Sequence, residues 1–430
     1  MAHPTTSKQT PILKIGIVSD SQGYDYPEDW GYSNLEKAFA LLAEKGIDVL
    51  LNAGDTGDHG DDDTAIRYYE GLVRKHFAAK MPAHVACIGN HDYWAHGDRR
   101  TPQECLDQFC DAIGAPRDQI VRQTVKGYDF IALSSDNAHS YDAEDCEKLR
   151  PVLEEATRRN PAKPVFVVTH FHPSKTVEGS MGSSGRPALR ALLNEFPQVI
   201  SLSGHTHVPL TDERCIWQGE FTALNTSGLS YCCVQGKFAN CCGPIPPFAR
   251  EGLFFMYAEL FDDRIEFHRY NAEDGEEIGK ALWTVALPHD PAKAVYTDAR
   301  ALTRPAPAFP PDAQFLFRYD YGFCYLVFDG ALHPDFVDHY RVVATELDDD
   351  GHALRSFEWR YVNNYYRIAK NRDPRQVLRF PPNTLEKGRR YRFEVFPAES
   401  FGKEGAPLAM TIRIRPSYGF RNLEEIGPQE

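Results

Sequence analysis

The chain has 430 residues, of which 42% are hydrophobic and 25% charged, and a formal net charge of −14. That length exceeds one ordinary core, so two domains are expected, and the acidic balance argues against a nucleic-acid duplex as partner, because phosphate neutralisation needs surplus Lys and Arg. Residues 1–10 hold no apolar signal core and no later run approaches the roughly 18 apolar residues of a membrane span, so a soluble, unexported, cytoplasmic protein is expected, or a secreted or periplasmic one if a signal peptide was removed before this numbering.

Lys14–Val18 reads as the first strand, with Asp20 and Gln22 just beyond it. Asn34–Ala43 carries apolar residues at helical spacing and stops at Gly46. Ile47–Asn52 then reads as a buried strand that releases Gly54-Asp55 and Asp58 into a loop. A helix from Thr64 to about Ala79 shows an apolar stripe of Ile66, Tyr69, Leu72, Val73 and Phe77. The strand His84–Ile88 ends in Gly89-Asn90-His91-Asp92, and a helix around Gln103–Ile113 follows. Tyr128–Leu133 is another strand and Asp142–Arg159 a long amphipathic helix. Pro164–Thr169 delivers His170, and a helix near Pro187–Phe196 leads to the strand Val199–Leu202 and then Gly204-His205-Thr206-His207. This alternation predicts a layered α/β domain with its ligand loops along one sheet edge.

After about residue 215, Phe221–Leu229, Leu253–Leu260 and Arg264–Tyr270 read as strands without intervening helices, the last two forming a hairpin around Asp262 and Asp263. Pro288–Pro311 is an extended Pro/Ala-rich linker. Seven β-rich runs follow, at Gln314–Arg318, Tyr325–Phe328, His339–Thr345, Phe357–Val362, Val377–Phe380, Arg390–Phe396 and Met410–Arg415, as expected of a small β-sandwich. The expected division is a tail at 1–11, the α/β domain at 12–287, the linker at 288–311, the β-sandwich at 312–416 and a tail at 417–430.

Taken singly, an Asp after a strand is usually a turn or cap residue, and a buried His is usually satisfied by hydrogen bonds. Five successive strand ends that deliver Asp, Asn, Gln and His are instead the ingredients of one metal centre with oxygen and imidazole ligands. Gly54-Asp55-x-x-Asp58, Gly89-Asn90-His91-Asp92, His170 and Gly204-His205-x-His207, preceded by Asp20-Ser21-Gln22, resemble the motifs of the calcineurin-like metallophosphoesterases. The resemblance covers roughly residues 12–285. It implies a four-layer α/β/β/α sandwich and two divalent metal ions, one held by Asp20, Gln22, Asp55 and His207 and the other by Asp55, Asn90, His170 and His205, with Asp55 shared. A hydroxide between the ions would attack phosphorus, His91 would bond the phosphoryl group or protonate the leaving oxygen, and Asp58 and Asp92 would orient His91 and the ligands.

The family's usual Asp-x-His is Asp20-Ser21-Gln22 here. An amide oxygen is a neutral, hard donor, so among manganese, iron, zinc and magnesium it favours manganese or iron over zinc. Gln22 either ligates, directly or through water, or leaves the first position loose or inert. The expected activity is hydrolysis of a small phosphoester, monoester or diester, with a lean to a phosphodiesterase because His91 can serve a poor alkoxide leaving group. A catalytically weak or silent binding protein, with recognition by the second domain, is the alternative. The letters select no natural substrate and no oligomeric state.

Other residues invite a role. His172 is the alternative to His170 as ligand; His59 with Asp61, Asp62 and Asp63 reads as a solvated acidic loop. Tyr93 and Trp94 fit either stacking on a planar leaving group or packing, and Arg99, Arg100 and Arg186 lie in loops near the ligands. Cys87, Cys105, Cys110, Cys146 and Cys324 read as buried hydrophobes, whereas Cys232-Cys233 and Cys241-Cys242 admit a thiolate zinc site, a disulfide-tied loop or free thiols. Phe393–Gly402 and its neighbours resemble the fibronectin type III or other Ig-like module appended to some of these phosphoesterases.

Overall fold

The computed structural model describes residues 9–22, 30–58, 64–93, 100–135, 139, 141–182, 185–320, 323–381, 384–414 and 424–426. The chain divides into two compact units, Met1–Cys233 with Arg250–Asp298, and Val234–Ala249 with Ala299–Glu430.

In the first unit the order is β1 (Leu13–Val18), α1 (Trp30–Lys45), β2 (Val49–Asn52), α2 (Thr64–Phe77), β3 (Ala83–Ala86), α3 (Pro102–Ile113), β4 (Ile120–Val125), β5 (Tyr128–Leu133), α4 (Ala143–Arg159) and β6 (Val165–Thr169). It continues through the short β7 (His172–Pro173) and β8 (Gly185–Arg186), α5 (Pro187–Leu193), β9 (Val199–Ser203), β10 (Ile216–Gln218), β11 (Thr222–Asn225), β12 (Phe254–Leu260), β13 (Arg264–Asn271) and β14 (Trp283–Ala286). Two of the helices start on side chains that satisfy their first free amides. Thr101 and Glu104 form a capping box for α3, and Asp142 and Asp145 one for α4.

The strands form two six-stranded sheets, ordered β14-β13-β12-β1-β2-β3 and β10-β11-β9-β6-β5-β4. Their central strands run parallel, β1 with β2 and β3, and β5 with β6, β9 and β11. Both faces of these strands are covered, which is why they read as continuous apolar runs rather than alternating ones. Ile15, Ile17, Val49, Leu51 and Val85 meet Phe130, Phe166, Val168, Ile200 and Leu202 in the core between the sheets. Leu50, Phe255 and Tyr257 on the outer face of one sheet pack under Leu35, Phe39, Tyr69, Leu72 and Phe109 of α1, α2 and α3. On the other sheet Ile131, Leu133 and Val167 pack under Leu149, Leu153, Leu189 and Leu192 of α4 and α5. The layers are therefore helix, sheet, sheet, helix, as the resemblance implies.

The second unit contains α6 (Arg300–Thr303), β15 (Phe315–Asp320), β16 (Phe323–Asp329), β17 (Val337–Leu347), β18 (Ala353–Val362), β19 (Arg375–Arg379), β20 (Arg390–Glu399), β21 (Leu408–Arg413) and β22 (Glu424–Ile426). Among the described residues these strands make two four-stranded sheets, β19-β16-β15-β22 and β18-β17-β20-β21. Phe317, Leu326 and Phe328 of one and Tyr340, Val342, Phe393 and Val395 of the other share a single core. The segment 234–249 covers the edge strand β18. The Ala239 amide donates to the Arg360 carbonyl at 2.7 Å, and the Asn240 side chain brackets the Val362 N–H and C=O at 3.0 Å each, closing an edge that would otherwise offer unpaired backbone groups.

Candidate metal centre

All seven expected ligands lie just past the C-terminal ends of β1, β2, β3, β6 and β9, where the chain leaves the sheet. Five of them hold left-handed backbone: φ is 51° at Asp20, 41° at Gln22, 51° at Asp55, 69° at His205 and 49° at His207. Such residues cost on the order of 1–3 kcal/mol each and persist only where their surroundings leave no alternative. The loops are laced together here. The Asp20 amide donates to the Gly54 carbonyl at 2.9 Å and the Gln22 amide to the Asp55 carbonyl at 3.0 Å. Two motif glycines answer to close approach: a Cβ on Gly89 would stand 2.2 Å from Asp55 Oδ1, and one on Gly204 2.3 Å from Asp20 Oδ2.

The side chains converge in two groups that share Asp55. In the first, Asn90 Oδ1 lies 2.8 Å from His170 Nε2 and 2.9 Å from His205 Nδ1, and His170 Nε2 lies 3.3 Å from Asp55 Oδ2. The Ala53 carbonyl accepts from His170 Nδ1 at 2.8 Å, which fixes the ring with Nε2 inward. In the second group His207 Nε2 is 3.3 Å from Asp20 Oδ1, and His207 Nδ1–H donates to the Tyr231 carbonyl at 2.8 Å. Gln22 Nε2 is 3.4 Å from Asp55 Oδ2, while Gln22 Oε1 accepts from the Ser230 hydroxyl at 2.7 Å.

The donor chemistry suits divalent ions. Neighbouring ligands of an octahedral ion bound at about 2.1 Å sit about 3 Å apart, close to the His170–Asn90, His205–Asn90 and His170–Asp55 separations. Asp20 and Asp55 are 0% and 1% exposed, and among the described residues neither pairs with a Lys or Arg. Buried anions in that situation call for a cation. Burial pushes both carboxyls up, but His207 beside Asp20 and His170 beside Asp55 outweigh it and hold them below the usual carboxylate range. Burial pulls His170 down, Asp55 outweighs it, and the imidazole is pushed up to about 9. Burial and then the neighbouring His170 cation hold His205 down at about 2.

His91 stands at the rim of this cluster. Its backbone N–H donates to Asp55 Oδ1 at 2.8 Å, its Nδ1 is 3.1 Å from Asp58 Oδ1, and its Nε2 is 4.0 Å from Asp55 Oδ2. Burial lowers its pKa, but the bond to Asp58 and the charge of Asp55 push it up to about 9. Asp92 acts on the loops that carry the expected ligands. Its two oxygens accept from the Gly57 and Gly89 amides at 2.9 Å each, so it ties the loop after β2 to the loop after β3. Burial, and next Asp55, push its carboxyl up to about 7.

His172 is buried with Nε2 2.8 Å from Thr206 Oγ1, beside the ligands rather than among them. Tyr93 packs in the core under α1, α2 and α3, its hydroxyl donating to the Ser135 carbonyl at 2.5 Å. Arg186 lies over the Phe171 ring at 4.0 Å and donates to the His139 carbonyl, and Arg100 bonds Gln108. His59, Asp61, Asp62, Asp63, Trp94 and Arg99 fall outside the described residues. Among the described residues no disulfide forms, and no cysteine joins a cluster able to hold a metal. Tyr231, Ser230, Thr206 and Asn225 were not singled out from the sequence; of these, Thr206 alone was signalled, by its place between two predicted ligands.

Residues 13–209 match the family model of the calcineurin-like phosphoesterases, a stretch that contains all seven expected ligands. The chain thus has the mixed α/β metallophosphoesterase fold, with additional all-β sheets in its C-terminal region. Its sequence matches no curated protein. Solved structures similar to it include a dimetal phosphatase from Danio rerio, at 14% identity over 64% of this chain and 99% of the other with a TM-score of 0.43. Another is the purple acid phosphatase PPD1 of yellow lupin, at 13% identity over 65% of this chain and 54% of the other with a TM-score of 0.43. The fn3 domain of human collagen alpha-1(XX) chain aligns at 15% identity over 30% of this chain and 98% of its own, with a TM-score of 0.18.

Proposed function

We propose that the protein is a metal-dependent phosphohydrolase whose substrates are small phosphoesters, diesters before monoesters. The observation that carries this reading is the convergence of Asp55, Asn90, His170 and His205 at ligand-to-ligand spacing, with Asp20, His207 and Gln22 grouped across the same Asp55. Divalent ions bound there would supply positive charge for the phosphoryl oxygens and an activated water. Asp55 stands between the two groups and would serve both ions. Asp58 fixes His91 through Nδ1 and favours its charged form, leaving an Nε2 proton directed towards the cluster. That proton suits a poor alkoxide leaving group, which is the reason to place diesters first.

The test is a panel of chromogenic phosphomonoesters and diesters with Mn²⁺, Mg²⁺, Zn²⁺ or chelator. Diester turnover that needs added metal is expected, with His91→Ala slower by about 10²–10⁴-fold at unchanged metal content. His91→Ala at the wild-type rate would remove the role given to that residue.

Gln22 favours one refinement. Its amide turns the N–H side to Asp55 and the oxygen to Ser230, and a hydroxyl can equally accept, so a half-turn is needed before Gln22 Oε1 faces the ligands. We infer that the Asp20, Gln22 and His207 side holds its ion more weakly than the Asn90, His170 and His205 side. Mn²⁺ titration should show two unequal steps in the wild type, and Gln22→His should strengthen the weaker step towards Zn²⁺; equal steps in the wild type would contradict it.

A further inference from the structure

His205 and His207 both sit in left-handed backbone, at φ 69° and 49°, and a two-residue stretch of that kind around a single intervening residue must be forced from outside. Thr206 is that intervening residue. It is buried, and its hydroxyl oxygen lies 2.8 Å from His172 Nε2 and 2.8 Å from Asn225 Nδ2. The third side is closed by Gly179, where a Cβ would stand 2.7 Å from Thr206 Oγ1. The Asn225 amide donates to Thr206 Oγ1, so the Thr206 hydroxyl hydrogen is free to go to His172 Nε2, and both bonds are made at once.

The same Asn225 reaches the other side of His207. Its Oδ1 accepts from the Ser227 amide at 2.8 Å, and Ser227 is itself in left-handed backbone at φ 63°. The next residue, Gly228, presses on His207: a Cβ there would lie 2.9 Å from His207 Nδ1 and 3.1 Å from Asp20 Cβ. One buried amide thus fixes the turn that carries His205 and His207 and the turn that backs the His207 ring. His172, in β7 just past the end of β6, and Asn225, at the end of β11, are buried, and the contacts above give them to Thr206 and Ser227 and not to the ligand cluster.

We propose that Thr206, with His172 and Asn225, forms a hydroxyl-centred pin that positions His205 and His207 for metal, one histidine in each of the two ligand groups. Thr206, His172 and Asn225 are positioning residues. The pin gives the buried histidine two residues from His170 a part beside the ligands without being one: its Nε2 meets the Thr206 hydroxyl at 2.8 Å. The proposal rests on the metal-centre reading above.

The experiment compares wild type, Thr206→Val and Thr206→Ser as full chains stripped with chelator, with Mn²⁺ affinity by calorimetry as the primary readout and the thermal midpoint of the metal-free protein alongside. Thr206→Val keeps the shape and removes the hydroxyl, and should weaken Mn²⁺ binding by about 10–100-fold, the usual effect of losing a partner behind a ligand. Thr206→Ser keeps the hydroxyl and should bind within about threefold of wild type. Should Thr206→Val fail to fold, Thr206→Ser and Asn225→Asp decide: a weakened Thr206→Ser, or an Asn225→Asp that binds as wild type does, overturns the pin. Thr206→Val with wild-type affinity overturns the pin alone, whereas wild-type protein that takes up no divalent ion overturns the metal centre and the pin with it.

Discussion

His170 shows how one side chain sets the conditions under which the site can work. Its Nδ1–H is taken by the Ala53 carbonyl and its Nε2 faces Asp55, so without metal the imidazole keeps both protons up to a pKa of about 9. The direction has two consequences. An imidazole raised from its ordinary 6.5 contributes stability that is fully present below pH 6.5 and lost as pH rises through about 9. Thermal midpoints of the chelated protein should therefore fall across that window. A metal ligand must be neutral, so Mn²⁺ affinity should rise over the same window by up to about tenfold per pH unit and level off above it. Calorimetry at several pH values checks both, and a metal affinity that is flat with pH would contradict the account of His170. In the metal-free ring cluster the proton belongs to His170 rather than His205, because the carboxylate of Asp55 faces the former and the cation so formed repels a second one.

At the scale of elements, the site is a set of strand ends brought into register by two sheets. The strands that carry the expected ligands were legible because their apolar runs end in small residues and then in carboxylates, amides or imidazoles, as at Gly54-Asp55 and Gly89-Asn90. β4 (Ile120–Val125) and β10 (Ile216–Gln218) were missed, since each is an antiparallel edge strand whose pairing with β5 or β11 is a tertiary matter. β22 (Glu424–Ile426) was missed for a related reason: a short polar run becomes a strand only by pairing with β15. The glycines of the motifs were legible as part of the pattern, but their duty is clearance. A methyl on Gly89 would fall 2.2 Å from Asp55 Oδ1 and 2.3 Å from the Asp55 amide nitrogen, so Gly89→Ala must move Asp55 or the loop after β3. We expect a loss of about 1–3 kcal/mol of stability and at least tenfold weaker Mn²⁺ binding. A Gly89→Ala protein with unchanged denaturant midpoint and metal affinity would show that the two loops are looser than their spacing implies.

For the whole molecule, the alternation of strands and helices gave the layered architecture, and the resemblance named seven expected ligands, which the fold brings to neighbouring strand ends. What stayed hidden depends on residues far apart in the chain, such as the Asn225 amide on Thr206, the Tyr231 carbonyl on His207 and the segment 234–249 grouped with the second unit. No local pattern announces such pairs. The segment 234–249 reads as a loop of the first unit by sequence position, yet its backbone and the Asn240 amide complete the edge of β18. No helix among the described residues is long and apolar enough to cross a membrane.

The central claim is that cations bound between Asp20, Asp55 and the histidines make a phosphoesterase. The most direct measurement is hydrolysis of a chromogenic phosphodiester by chelated protein while Mn²⁺ is titrated in, with metal content per chain followed in parallel and Asp55→Asn carried as control. The account predicts no turnover before metal, turnover that grows as the chain takes up about two ions, and none at any Mn²⁺ concentration in Asp55→Asn. Wild-type protein that stays below about one ion per chain and hydrolyses nothing, or Asp55→Asn that turns over like wild type, would contradict it.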